Sequence, residues 1–199
     1  MTASQQDWTV DELRAALKHE RLAQYSRLRG GYPIPIAGAL YWLLLGVLGY
    51  SLELQSWTLV AFYGSGMIFP VAVILSKIFN IPFMKDQSPV GSVLGPAFIG
   101  MLLFWVFIIA AGKTAPTMVP LILAVGLSMH WPVIGWSYGR TAIYSAHAVI
   151  RAVLAIYIWI AFPEHQLTWL PFSVAAVYIA TVIIIYIDSG RMRTKLRLA

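Results

Sequence analysis

The chain has 199 residues, 59% of them hydrophobic and only 11% charged, which excludes an ordinary soluble domain. Zero cysteines exclude disulfides, thiolate metal sites and a cysteine nucleophile. The net charge of +6 sits in blocks beside apolar segments, a pattern of membrane topology and not of a nucleic-acid partner.

Residues 1–31 are polar, so no cleavable signal is expected. Thr9-Val10-Asp11-Glu12 fits a capping box that opens a helix. Val10, Leu13, Leu17, Gln24 and Leu28 then recur at helical spacing among Arg14, Lys18, Arg21, Arg27 and Arg29. This reads as a basic amphipathic helix on an anionic leaflet, with a solvated helical tail as the bland alternative. Gly30-Gly31 and the Pro33/Pro35 pair end it.

Six apolar segments follow, at 34–54, 57–79, 90–111, 117–136, 141–161 and 169–187. Each is near the roughly 20 residues that cross a hydrocarbon core. The expected fold is all-α: a polytopic six-helix transmembrane bundle over residues 32–188, preceded by the 1–31 helix and closed by a basic tail at 189–199. Twelve of the fourteen Lys and Arg residues then fall on one side, against Lys113 on the other and Arg151 inside. Both termini are therefore expected in the cytoplasm, in the cell inner (plasma) membrane. Trp57, Trp105, Trp159 and Trp169 are expected at the outer boundary, with Trp136, Tyr138 and Tyr186 at the inner one.

The fifth segment carries the chemistry. Arg140, Tyr144, His147 and Arg151 lie at i, i+4, i+7 and i+11, on one helical face. Thr141, Ser145, Ala148, Ala152 and Ala155 form a parallel stripe of small residues, so this helix is expected at the centre of the bundle. A charged group at mid-membrane costs about 2.5–3.5 kcal/mol on insertion scales unless the protein answers it. No carboxylate is available at that depth, since Glu53, Glu164 and Asp188 belong to the edges.

The second segment offers Ser65 and Gly66, with Pro70 removing the amide that would bond the Gly66 carbonyl. Arg151 is expected to donate to carbonyls near Gly66 and to lie opposite Gly126, bordering a polar cavity with His130, His147 and Tyr144. Pro132 is expected to free a carbonyl near Ser128, and Gly91 with Gly95 to mark a close helix contact. His130 and His147 fall level in depth; two histidines are too few for an ordinary metal site, and a bis-histidine haem is a further alternative. No metal and no cofactor is expected. There is no phosphate-binding glycine loop, HExxH, GxSxG or catalytic carboxylate pair.

The run YGSGMIFPVAVILSK at 63–77, SPVG at 88–91, SMHWP at 128–132 and WSY at 136–138 resembles a family of small multi-pass bacterial membrane proteins without an assigned function. The likeness runs from Ile34 onward. It implies an integral membrane fold of about six helices and marks the His130 region, but brings no substrate; the basic start and Arg151 depart from it.

Three functions are weighed. The first is permeation of a small, anionic solute or ion past Arg151, His130, His147 and Tyr144. The second is a membrane enzyme or redox subunit acting through the two histidines on a lipophilic substrate or cofactor. The third is a non-catalytic scaffold. The lipid bilayer is the expected partner, a homo-oligomer is plausible, and nucleic acid is not expected.

Overall fold

The computed structural model describes residues 8–198; the first seven residues of the 1–31 segment and Ala199 lie outside them. Ten α-helices follow in order: α1 (Val10–Arg27), α2 (Pro33–Leu48), α3 (Leu54–Ser65), α4 (Ile68–Ile78), α5 (Leu94–Leu102), α6 (Phe104–Thr114), α7 (Val119–Gly126), α8 (Trp131–Ser137), α9 (Thr141–Ala161) and α10 (Trp169–Leu198). Among the described residues there is no strand.

Five helical stretches are long and apolar enough to cross a membrane. They are Arg29–Leu48, Pro89–Thr114, Pro116–Ser137, Thr141–Ala161 and Trp169–Lys195. The pair α3 and α4 adds a sixth candidate, bent by 46°. The residues of the basic tail continue α10 as helix out to Leu198.

α2 is the central element: 61% of its most apolar window is buried, against 28% for α9. It packs along α10 and α4; α10 in turn lies against α9, and α9 against α7 and α8. The expectation that the fifth segment is central is therefore corrected. α9 buries one face, Tyr144, His147, Arg151, Ala155 and Ile158, and turns Val149, Ile150, Val153, Ile156 and Ile160 outward. A straight helix with polar residues at these intervals has only one stripe to hide, so a perimeter position satisfies it.

The second, third and fourth apolar segments are each interrupted near mid-length. Tight i to i+3 bonds mark the interruptions: Met67 to the Gly64 carbonyl, Leu103 to Gly100, and Ser128 to Val125. Pro70 and Pro132 lack an amide proton, which accounts for two of the three. The carbonyl expected to be free at Ser128 is taken by the Trp131 amide at 3.0 Å. Of the Gly91-xxx-Gly95 pair, Gly91 lies against Gln24 of α1, where a side chain would begin 3.1 Å from the Gln24 amide nitrogen, while Gly95 has no neighbour within 4 Å.

The aromatic residues divide differently from the expectation. Trp136, Trp169 and Tyr186 are exposed, as interfacial residues are. Trp57 and Tyr138 are buried, with Trp57 donating from its ring nitrogen to the Leu45 carbonyl at 3.0 Å.

α1 begins with the expected capping box: Glu12 accepts from the Thr9 amide at 2.8 Å, and the Thr9 hydroxyl accepts from the Glu12 amide at 3.3 Å. Its second half docks on one end of the bundle, burying Gln24, Tyr25 and Leu28. Arg21 donates to the Trp136 carbonyl at the end of α8. Arg27 and Gln24 both reach Asp86 at 3.0 Å, and Arg29 donates to the Phe79 carbonyl at the end of α4 at 3.2 Å. Cations at helix C-termini meet the negative end of the helix dipole, so this arrangement is favourable twice over. Arg140 pairs with Asp188 at 2.6 Å on the same end.

The turn between α1 and α2 requires glycine. Gly30 and Gly31 have φ of +68° and +61°, and the Tyr144 hydroxyl donates to the Gly30 carbonyl at 2.6 Å.

The Arg27 hydrogen bond, at 2.8 Å, holds the Glu20 carboxyl below its ordinary value of 4.5. A depressed carboxylate stabilises the fold above its unfolded value and loses that contribution as pH falls through the folded one. Two outcomes are expected from limited proteolysis of the detergent-purified protein. Cleavage within α1 should rise as pH drops below 4.5, and Asp86→Ala should raise it at neutral pH while the apolar core stays protected.

Candidate functional site

Arg151 is 0% exposed at the middle of α9. Its Nη1 donates to the Tyr178 hydroxyl at 2.8 Å. The guanidinium carbon lies 5.1 Å from the centre of the Trp42 ring and 5.2 Å from that of Tyr178. Nε and Nη2 have no hydrogen-bond partner among the described residues. The charge is therefore answered by aromatic faces, whose quadrupole attracts a cation by about 2 kcal/mol when water is excluded. Carbonyls near Gly66, expected from the sequence, are not its partner.

Gly38 explains why. A side chain there would begin 2.5 Å from the Tyr178 ring, so only glycine lets α10 approach α2 closely enough to set the phenol against Arg151. Gly126, expected to leave room for Arg151, is covered by the Phe104 ring instead.

His147, one turn before Arg151, is 2% exposed and shares 2.8 Å with the Thr181 hydroxyl through Nδ1. That hydroxyl has one proton and gives it to the Val177 carbonyl at 2.7 Å. It must then accept from His147, which assigns the proton of a neutral imidazole to Nδ1 and leaves Nε2 as an unpartnered acceptor. The ring stacks on Trp131 at 3.8 Å and 15°. Tyr144, expected beside the cavity, is buried in its bond to Gly30. These two residues and Arg151 hold the bundle together and do not border open space.

His130 differs. It is 9% exposed, its Nδ1 has no partner, and it lines a half-open cavity of about 420 Å³. The three helix interruptions meet at this cavity: Ser65 and Gly66 come from the first, Met101 and Leu102 from the second, Leu127 and His130 from the third. α4 flanks one side through Phe69 and Ala72, and α5 the other through Phe98. Trp131 and Tyr178 form the back wall. Apart from His130, the Ser65 hydroxyl and the Tyr178 hydroxyl, the lining side chains are apolar or indole rings. Trp105, expected at the outer boundary, lines it as well.

Of the predicted site residues, His130, Ser65 and Gly66 are brought together; Arg151 and His147 stand behind the wall, touching Tyr178 and Trp131 from the other side. A haem held between the two imidazoles would have to displace the Trp131 indole. Trp42, Tyr178 and Gly38 were not singled out by sequence. The lack of an acid near Arg151 was legible in the sequence; what the sequence reading left out was that aromatic rings are another way to hold a cation.

Replacing Tyr178 by Phe leaves the buried guanidinium with no hydrogen bond. The expected cost is about 1–3 kcal/mol of stability, measured by thermal unfolding in detergent. The double variant Arg151→Met/Tyr178→Phe should recover most of that loss, because the unpaired charge is gone.

Searches of curated proteins and of solved structures returned no match. The family model described as a family of unknown function (DUF7010) matches residues 17–188, a range that takes in the docked half of α1 as well as the helices around the cavity. The chain belongs to that family, DUF7010.

Proposed function

We propose that this chain is a six-span integral membrane protein, both termini cytoplasmic, that takes up a lipophilic molecule from the bilayer into the cavity beside His130. The observation that carries the reading is the cavity itself: about 420 Å³, half-open, apolar-lined and set where three successive spans are interrupted. Pockets of a few hundred Å³ with one or two polar groups are typical of small-ligand sites. Interrupted transmembrane helices belong where backbone faces a cavity, and membrane ligand sites are built from them.

Phe69 and Leu102 on the rim are more than half exposed, and on spans of this hydropathy such residues meet lipid. The mouth therefore opens sideways, towards acyl chains. The basic residues support the orientation, since Arg21, Arg27 and Arg140, through Trp136, Asp86 and Asp188, gather at one end of the bundle. The exposed half of α1, with Val10, Leu13 and Leu17, extends this basic end along an anionic leaflet.

Permeation of a small anion has less support. Arg151 would have to attract the anion, and it is fully covered by Tyr178 and Trp42.

The test is photolabelling in nanodiscs with a diazirine-bearing fatty-acyl probe. Labelling is expected on α4 and α5 around Phe69 and Phe98, and Met101→Trp, which fills the cavity, should reduce it several-fold without unfolding the protein. Uniform labelling of all outward faces, unchanged by Met101→Trp, would overturn the reading.

A further inference from the structure

Tyr178 faces two ways. It lines the cavity, and its hydroxyl oxygen accepts a hydrogen bond from Arg151 Nη1. A phenol has a single proton, and among the described residues that proton has no acceptor. Other buried tyrosines of the bundle do have one: Tyr41 donates to the Ala61 carbonyl at 2.7 Å and Tyr144 to the Gly30 carbonyl at 2.6 Å. A hydroxyl that accepts from a cation becomes a stronger donor, because consecutive hydrogen bonds polarise one another where the local dielectric is low. Arg151 thus has a route to act on the cavity without entering it.

The second polar residue lining the cavity is His130, nine-tenths buried, whose unpartnered Nδ1 is itself covered. Ser65 offers less, since its hydroxyl already donates to the Phe62 carbonyl at 2.8 Å. No carboxylate lines the space. The wall therefore presents a charge-strengthened donor and an imidazole, and it lacks any anionic group that would hold an amine.

From this we infer that the cavity selects a lipophile whose head carries a carbonyl-type oxygen, which accepts a hydrogen bond from the Tyr178 hydroxyl that Arg151 polarises, with its hydrocarbon along Phe98, Met101 and Phe69. The inference rests on the reading of the cavity as a lipophile site and adds the chemistry of the head. A neutral ketone or ester and an ionised fatty acid share that oxygen acceptor.

The experiment is competition against the diazirine probe in nanodiscs by three compounds of closely similar chain length, pentadecane, methyl tridecyl ketone and myristate, each titrated and compared by its concentration in the membrane. The ketone should displace the probe at about one-tenth the concentration that the alkane needs, as one added hydrogen bond to a polarised donor implies. Myristate displacing more strongly than the ketone would also support the inference and would identify the acid as the better source of the oxygen. In the Arg151→Met/Tyr178→Phe protein, where the ring is kept and the hydroxyl and charge are gone, the preference over alkane should vanish. Specific displacement with alkane and ketone equal in the wild-type protein would overturn the head-group inference and leave the lipophile site standing. A preference for ketone that persists in the double variant would overturn it as well. Should the probe show no specific binding to wild-type protein, the cavity reading fails and this inference with it.

Discussion

A fully buried guanidinium with no acid or carbonyl bonded to it among the described residues must be held by something else, and here it is held by the faces of Trp42 and Tyr178 and one phenolic oxygen. The demand reaches well beyond Arg151. It fixes glycine at position 38, because any side chain would push Tyr178 off its seat, and it draws α2, α9 and α10 to a common point. Those three helices are also the uninterrupted ones among the apolar segments. The rigid side of the bundle is thus organised by one ion, and α3 to α8 are free to be irregular around a cavity.

That division gives the two histidines different work. His147 is packed between Trp131 and Tyr178 and uses its one ring proton on Thr181, so it contributes order. His130 lies where α7 passes into α8, against the Phe98 ring at 4.8 Å, with a nitrogen unsatisfied in the cavity wall. An unsatisfied buried nitrogen costs on the order of 1–3 kcal/mol. His147 Nε2 carries the same cost inside the packed bundle, so what sets His130 apart is its place in the lining of the cavity.

At the other end of the molecule, α1 fastens the helix ends that the interruptions leave short. Arg21 and Arg29 bind the last carbonyls of the α8 and α4 regions, and Asp86 receives Arg27 and Gln24. The basic residues that read as a topology signal are also fasteners, and the family match, which begins at residue 17, takes them in upstream of the first span.

The amino-acid sequence by itself determined the all-helical architecture, the apolar stretches, the capping box at Thr9 and Glu12, the break at Gly66 and Pro70, and the singling out of Arg151 and His130. These are local matters: hydropathy, a 3.6-residue period, a missing amide proton and the rarity of charge in an apolar run act within a turn or two of the chain. It could not decide what Arg151 binds, which of two level histidines meets open space, or that α9 lies at the rim. Tertiary structure decided those, because each depends on pairs far apart in sequence: Gly38 with Tyr178, Phe104 with Gly126, Trp131 with His147. Helical spacing states which face of a helix is polar. Only the packing of its neighbours sets whether that face finds rings, carbonyls or a cavity.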